Sequence, residues 1–265
     1  MATRTSTLCA LALAYAVSGR ELRAQEPAPA GPGSGPTRLF FAPTARSMPS
    51  GQWAVGVTEV LFPWGEVSVT KCLSVLGFGI PIEGGGVALV PKLQLWGGRH
   101  IQAAAGVAHV LAFQGDSGGV GYGVLTGGGA DLGVTVGYGY GYGSLADSGG
   151  SRSVLLVGLD AALGPHVRLI GEGYIGGAAL GMPDQTIAAG LRLAHGRFWA
   201  DLGVVVPFYE TGSGMPVPLL TVGWSFGRTP PQALGPGSAL RGAPLLSSPP
   251  RPNPGWAPLS PTDRS

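Results

Sequence analysis

Seven polar side chains punctuate the apolar middle of this chain: Lys92, Gln94, His166, Arg168, Glu172, Arg192 and Asp201. Each stands among apolar neighbours. Lys92 and Gln94 flank Leu93, Arg168 lies between Val167 and Leu169, Arg192 lies between Leu191 and Leu193, and Asp201 precedes Leu202. Alternation at period two sends neighbours to opposite faces of a strand, so the polar groups share one face and the aliphatic side chains the other. Cations and carboxylates gathered on one face can pair into a network that plugs and braces an interior, or can line a path for small solutes. The network is the plainer reading. Arg192 and Asp201 fall on the two strands of one hairpin, two residues out of direct register, which places them diagonally.

Catalytic chemistry is harder to assemble. Gly115-Asp116-Ser117-Gly118-Gly119 is the run found around the nucleophile of trypsin-like proteases, which also need a base histidine and an orienting aspartate placed well upstream. His109 is only eight residues before Ser117, and His100 seventeen, neither in such a context. Ala146-Asp147-Ser148-Gly149-Gly150 repeats the Asp-Ser-Gly-Gly run, which marks both as loops. Parity puts His109 on the apolar side with Val107 and Leu111, facing a residue near Gly123, where no nucleophile stands. The four histidines lack HExxH or comparable spacing. Cys72 is left alone once Cys9 departs with a leader, so no disulfide or cysteine metal site forms. No catalytic residue, metal or cofactor is assigned.

The elements that carry the polar face are strands. In Ala130–Tyr142, ADLGVTVGYGYGY, residues Leu132, Val134, Val136, Tyr138, Tyr140 and Tyr142 share one parity and Gly133, Thr135, Gly137, Gly139 and Gly141 the other. About 9–11 residues suffice for a tilted strand to cross a bilayer. Only 11% of residues are charged and mean hydropathy is +0.28, yet no run of 18 apolar residues supplies a spanning helix. An apolar average without an apolar run is the pattern of alternating transmembrane strands. Twelve strand candidates lie between Gln52 and Gly227, with ten to fourteen as the range, and their connections alternate long and short. The fold expected is an all-β, antiparallel, up-and-down barrel of about twelve strands, apolar outside and polar within. Trp53, Trp64, Tyr138, Tyr140, Tyr142, Trp224 and Phe226 are assigned to an interfacial aromatic girdle.

The ends differ from the middle. Residues 1–24 read as a secretory signal, with Arg4, an apolar LCALALAYAV core and Leu22-Arg23-Ala24 as a cleavage site. Residues 25–37 form a Pro/Gly-rich linker, 38–228 the barrel, and 229–265 a Pro-rich tail expected to be disordered. Arg38–Arg46, RLFFAPTAR, resembles the opening motif of a group of small uncharacterised bacterial outer-membrane proteins, where it precedes the first barrel strand. Pro218–Gly227 is similar to the aromatic-ended strand that outer-membrane barrels present to their assembly machinery. These resemblances imply an outer-membrane location with both termini periplasmic, and no activity. The function expected is non-enzymatic: structural, or a narrow channel or receptor for small solutes. A barrel-embedded lipid-modifying enzyme and a secreted soluble β-rich binding protein stay open as alternatives. Expected partners are outer-membrane lipid, the assembly machinery, a small solute and a periplasmic partner of the tail. A formal charge of +2 with no basic cluster argues against nucleic acid.

Overall fold

The computed structural model describes residues 37–81, 85–113, 117–143, 152–177, 183, 185–209 and 212–227. The period-two segments become β1 (Trp53–Thr58), β2 (Phe62–Ser68), β3 (Leu73–Ile80), β4 (Gly86–Gly97), β5 (Ile101–Ala112) and β6 (Gly118–Gly128). They continue as β7 (Leu132–Gly143), β8 (Ser153–Ala162), β9 (Val167–Gly176), β10 (Gln185–His195), β11 (Phe198–Tyr209), the two-residue β12 (Gly212–Ser213) and β13 (Val217–Phe226). Each wall strand pairs antiparallel with its neighbours, and β13 pairs with both β11 and β1, so the sheet closes. Twelve strands make the wall, and β12 only adds two pairs to the end of β11. Closure gives every central strand two partners and leaves no open edge.

The pleat sorts the side chains. In β7 the glycines and Thr135 point inward while Val134, Val136, Tyr138 and Tyr140 are exposed outside. The same sorting puts Leu155 and Val157 of β8, Leu191 and Leu193 of β10, and Leu202 of β11 on the outer surface. Aromatic side chains gather at both ends of the wall. Where the chain enters β1 and leaves β13, Trp53 stacks on Phe226 at 4.0 Å and Phe198 meets Trp224 edge-on. Tyr140 and Tyr142 lie near the other end, at the close of β7.

Trp64 departs from the girdle assignment. It is only 4% exposed, inside the barrel, with its ring 5.4 Å from that of the fully buried Trp199. In β2, Trp64, Glu66 and Ser68 share the inward parity, so the tryptophan cannot face outward without exposing the glutamate. Glycine makes the room: a Cβ on Gly56 would overlap Trp64, and one on Gly223 would meet the Trp199 ring. The hairpin register also differs from expectation. Arg192 stands directly opposite Asp201, because His195 pairs with Phe198 across a two-residue turn.

Trp199→Ala should remove the larger part of this aromatic layer and lower barrel stability by about 3–5 kcal/mol. A urea titration of the refolded protein, followed by loss of the compact band in unheated gel samples, measures it.

Candidate functional site

The barrel is not empty. Residues 37–48, ahead of β1, fold back into the lumen as a short hairpin. Leu39 N donates to Ala42 O at 2.9 Å and Thr44 N to Thr37 O at 3.0 Å, placing Phe40 and Phe41 at the tip. Leu39, Phe40 and Ala42 are buried against Leu156, Ile170, Ala188 and Leu219 of the wall. A Cβ on Gly158 would overlap Leu39 Cδ1, and one on Gly203 would crowd the Phe40 ring, so the bare positions of the lumenal face accommodate the hairpin.

A segment outside the ladder brings amides and carbonyls that need partners in the interior. The wall supplies them with its charges. The Glu172 carboxylate accepts from the backbone N–H groups of Phe40, Phe41 and Ala42 at 3.1–3.2 Å. Arg192 lays its guanidinium edge on Asp201, with Nε to Oδ1 at 2.6 Å and Nη2 to Oδ2 at 2.8 Å, and also donates to Arg38 O and Leu39 O. Lys92 Nζ donates to Thr37 O, Thr37 Oγ1, Thr44 O and Arg46 O at 2.7–3.2 Å. Gln94 Nε2 donates to Ala45 O, and Ala45 N donates to Thr126 Oγ1. Where the segment leaves the lumen, Asp160 joins two cations, Arg46 at 3.2 Å and Arg168 at 2.6 Å.

Arg38 belongs to the hairpin itself. Its guanidinium lies 4.3 Å from the Trp64 ring centroid and 5.5 Å from that of Phe78. Nη1 donates to Phe40 O, while Thr37 Oγ1 donates to Glu66. Burial pushes Arg38 down to about 10, with neighbouring Arg192 adding to the effect and Asp201 opposing it, so it stays cationic at neutral pH. Burial lowers Arg46 as well, against the pull of Asp160.

Lys92, Gln94, Glu172 and Arg192 thus converge on one short segment, Asp201 joins them through Arg192, and Arg168 joins at its exit through Asp160. His166 does not. It is exposed in the turn before β9, with Nδ1 at 3.1 Å from Ala194 O and its ring 5.4 Å from His195. His109, on the outer side, faces Gly119 rather than a residue near Gly123, and its Nδ1 is 2.8 Å from the Tyr142 hydroxyl. The bare Gly119 lets the Tyr142 side chain reach across it. Asp116 and the second Asp-Ser-Gly-Gly run lie outside the described residues, as do the leader, the tail and all of the linker but Thr37. Among the described residues no group of three His, Cys, Asp or Glu side chains could hold a metal ion. Glu66, Asp160 and Thr126 were not singled out from sequence, though each alternates with apolar or glycine neighbours as the selected residues do.

Beyond the hairpin tip the lumen changes character. A cavity of about 500 Å³ lies there, walled by Phe78, Val90, Val120, Leu156 and Tyr174, with Phe41 projecting into it from the tip. Among the described residues the interior is most densely polar around residues 37–46 and mainly apolar beyond the tip.

No protein-family model and no curated protein matches the chain. Solved structures do. Two of a KdgM porin, one of them in complex with disordered oligogalacturonate, are each 9% identical with a TM-score of 0.48, over 67% of this chain and 98% of theirs. OprD of Pseudomonas aeruginosa is 11% identical with a TM-score of 0.34, over 62% of this chain and 60% of OprD. No residue role or substrate is carried over from them.

Glu172→Ala should leave three hairpin amides without their acceptor, at about 1–3 kcal/mol. Arg38 and Arg46 then become accessible to trypsin, with cleavage roughly tenfold faster or more, read by intact-mass analysis of the folded protein.

Proposed function

We propose that the chain is a non-enzymatic outer-membrane β-barrel, held shut by its own residues 37–48, that acts as a receptor or gated narrow conduit for a small solute. The observation that carries this reading is the sorting of the wall. Exposed aliphatic side chains cover the outside of a closed sheet, while its ion pairs face inward. A soluble barrel would bury the apolar parity and wet the polar one. In lipid the arrangement is favourable, since a charge on the outer face near the midplane would cost about 2–4 kcal/mol. The aromatic clusters at the two ends of the wall fit the two bilayer interfaces.

The termini belong on the periplasmic side in this reading. The connections at the end where β1 begins and β13 finishes are short: 69–72, 98–100, 129–131, 163–166 and 196–197. The opposite end carries the longer 144–152, 177–184 and 210–216, which suit the extracellular side. Outer-membrane lipid and the barrel-assembly machinery follow as partners, the latter through the aromatic end of β13. The hairpin supports a closed resting state, because its side chains and backbone are held in the lumen by hydrogen-bond partners on six strands of the wall, β2, β4, β6, β8, β9 and β10.

Heat-modifiable protein in the outer-membrane fraction is the expected result of cell fractionation. In planar bilayers the wild-type protein should be silent, and a variant lacking residues 37–47 should conduct in discrete steps that change when Arg192→Ala is added. A folded, inserted deletion variant without conductance would show that the hairpin is not what closes the lumen.

A further inference from the structure

The cavity above the hairpin has features of a ligand site that an aqueous pore lacks. Taking the barrel to be membrane-embedded as above, we propose that it binds a single-chain amphiphile, with the hydrocarbon in the cavity and a carboxyl head on Arg38. Its volume of about 500 Å³ lies in the range of small-molecule sites, ~300–1,000 Å³. Most of the walls are aliphatic or aromatic, with Arg38, Glu59, Glu66, Ser74 and Lys92 also on the lining, and a mainly apolar cavity takes apolar guests. A path for ions or sugars needs groups that replace water around the solute, and Val90, Val120, Val124 and Leu156 provide none.

The polar end of the ligand is set by atoms that lack partners. Arg38, Glu66 and Tyr122 all line the cavity. Among the described residues nine buried side-chain polar atoms have no hydrogen bond, and four of them belong to these three residues: Arg38 Nε and Nη2, the Tyr122 hydroxyl and Glu66 Oε2. Buried polar atoms are normally paired, so four orphans beside one cavity call for an explanation. Arg38 Nε and Nη2 form the side-on edge of the guanidinium, the fork that fits a carboxylate with two parallel bonds. Three of the four orphans are donors, so the head group they fit is chiefly an acceptor.

The wall also offers an entrance. At hairpin β1–β2, β1 ends at Thr58, opposite Thr221, while the neighbouring β13 extends beyond that row to Val217. Pairing of β2 with β3 stops at Trp64–Phe78, and Pro63 brings no N–H to extend it toward Gly79. Thr58, Glu59, Phe62 and Ile80 at this notch line the cavity. The turn above it is strained, with Glu59 at φ 53° and Val60 at φ 61°, and it exposes Val60 and Leu61 beside Glu59. An acyl chain lying in the outer leaflet would meet the exposed Val60 and Leu61 and then a mainly apolar interior.

The test is native mass spectrometry of the full-length refolded barrel, after delipidation and incubation with dodecanoic acid or dodecanol. Wild type should retain one dodecanoate. Ala108→Trp and Ala88→Phe, which add bulk inside the cavity, should each lower retention at least tenfold. Val157→Trp, the same bulk on the outer face, should leave it unchanged. Arg38→Met should weaken dodecanoate at least tenfold while dodecanol binding holds. Wild-type barrel that retains no dodecanoate overturns the proposal, as does equal retention by a filled variant that still shows the heat-modifiable shift. Such a failure in protein recovered from the outer membrane leaves the barrel reading standing, whereas protein absent from that fraction removes the reading itself.

Discussion

The bonds between Glu172 and three consecutive amides, with Lys92 gathering four oxygens nearby, allow the rest of the interior to exist. A closed sheet has spent its own backbone hydrogen bonds on its neighbours. A second piece of backbone can enter only if side chains meet its polar groups, because each buried one left unpaired costs about 1–3 kcal/mol. The wall meets them with ionised groups, which make the stronger bonds. The same bonds answer the reverse problem, since Lys92, Glu172 and Arg192 would otherwise be buried ions short of partners. Segment and wall satisfy each other.

That exchange divides the lumen. Around residues 37–46 the backbone polar groups are met by wall charges, the Thr126 hydroxyl, the Gln94 amide or one another, and the glycines opposite Leu39 and Phe40 leave space for them. Past the tip the described inward positions are mostly alanine, valine, leucine and aromatic. One barrel thus carries a polar, filled zone and an apolar, hollow one. Their boundary is Arg38, which rests on the rings of Trp64 and Phe78 and lines the cavity beyond.

The wall was legible in sequence because its code is local. In β7 glycine alternates with tyrosine and valine, so parity alone sorts inside from outside, and closure of about twelve such strands follows. Trp64 shows where a residue-type rule misleads: tryptophan favours interfaces, but Glu66 two positions on shares its face and takes it inward. The Arg192–Asp201 register was missed by two residues because it hangs on the size of one turn, and Gly196-Arg197 makes the shortest. The hairpin was hidden for a different reason. RLFFAPTAR shows no period of two or of 3.6, and its partners are scattered over strands far along the chain. Nothing near it announces that Glu172 or Arg192 is meant for it. The cavity was equally hidden, since an apolar lumen and an apolar exterior leave similar residues in a strand.

The hairpin's bonds have one more consequence, for the order in which the molecule is made. They join residues separated by 46 positions at the nearest wall lysine and by 154 at Arg192. The segment emerges before any strand it contacts, yet its last hydrogen-bond partner, Arg192, lies on β10 and its last packing partner, Leu219, on β13. Closing such long loops comes late, once other contacts have paid their entropy. A newly threaded chain must therefore hold RLFFAPTAR aside, with three large apolar side chains unburied, until the cylinder is nearly complete. Sealing of the lumen then serves as the record that the last strands have found their places.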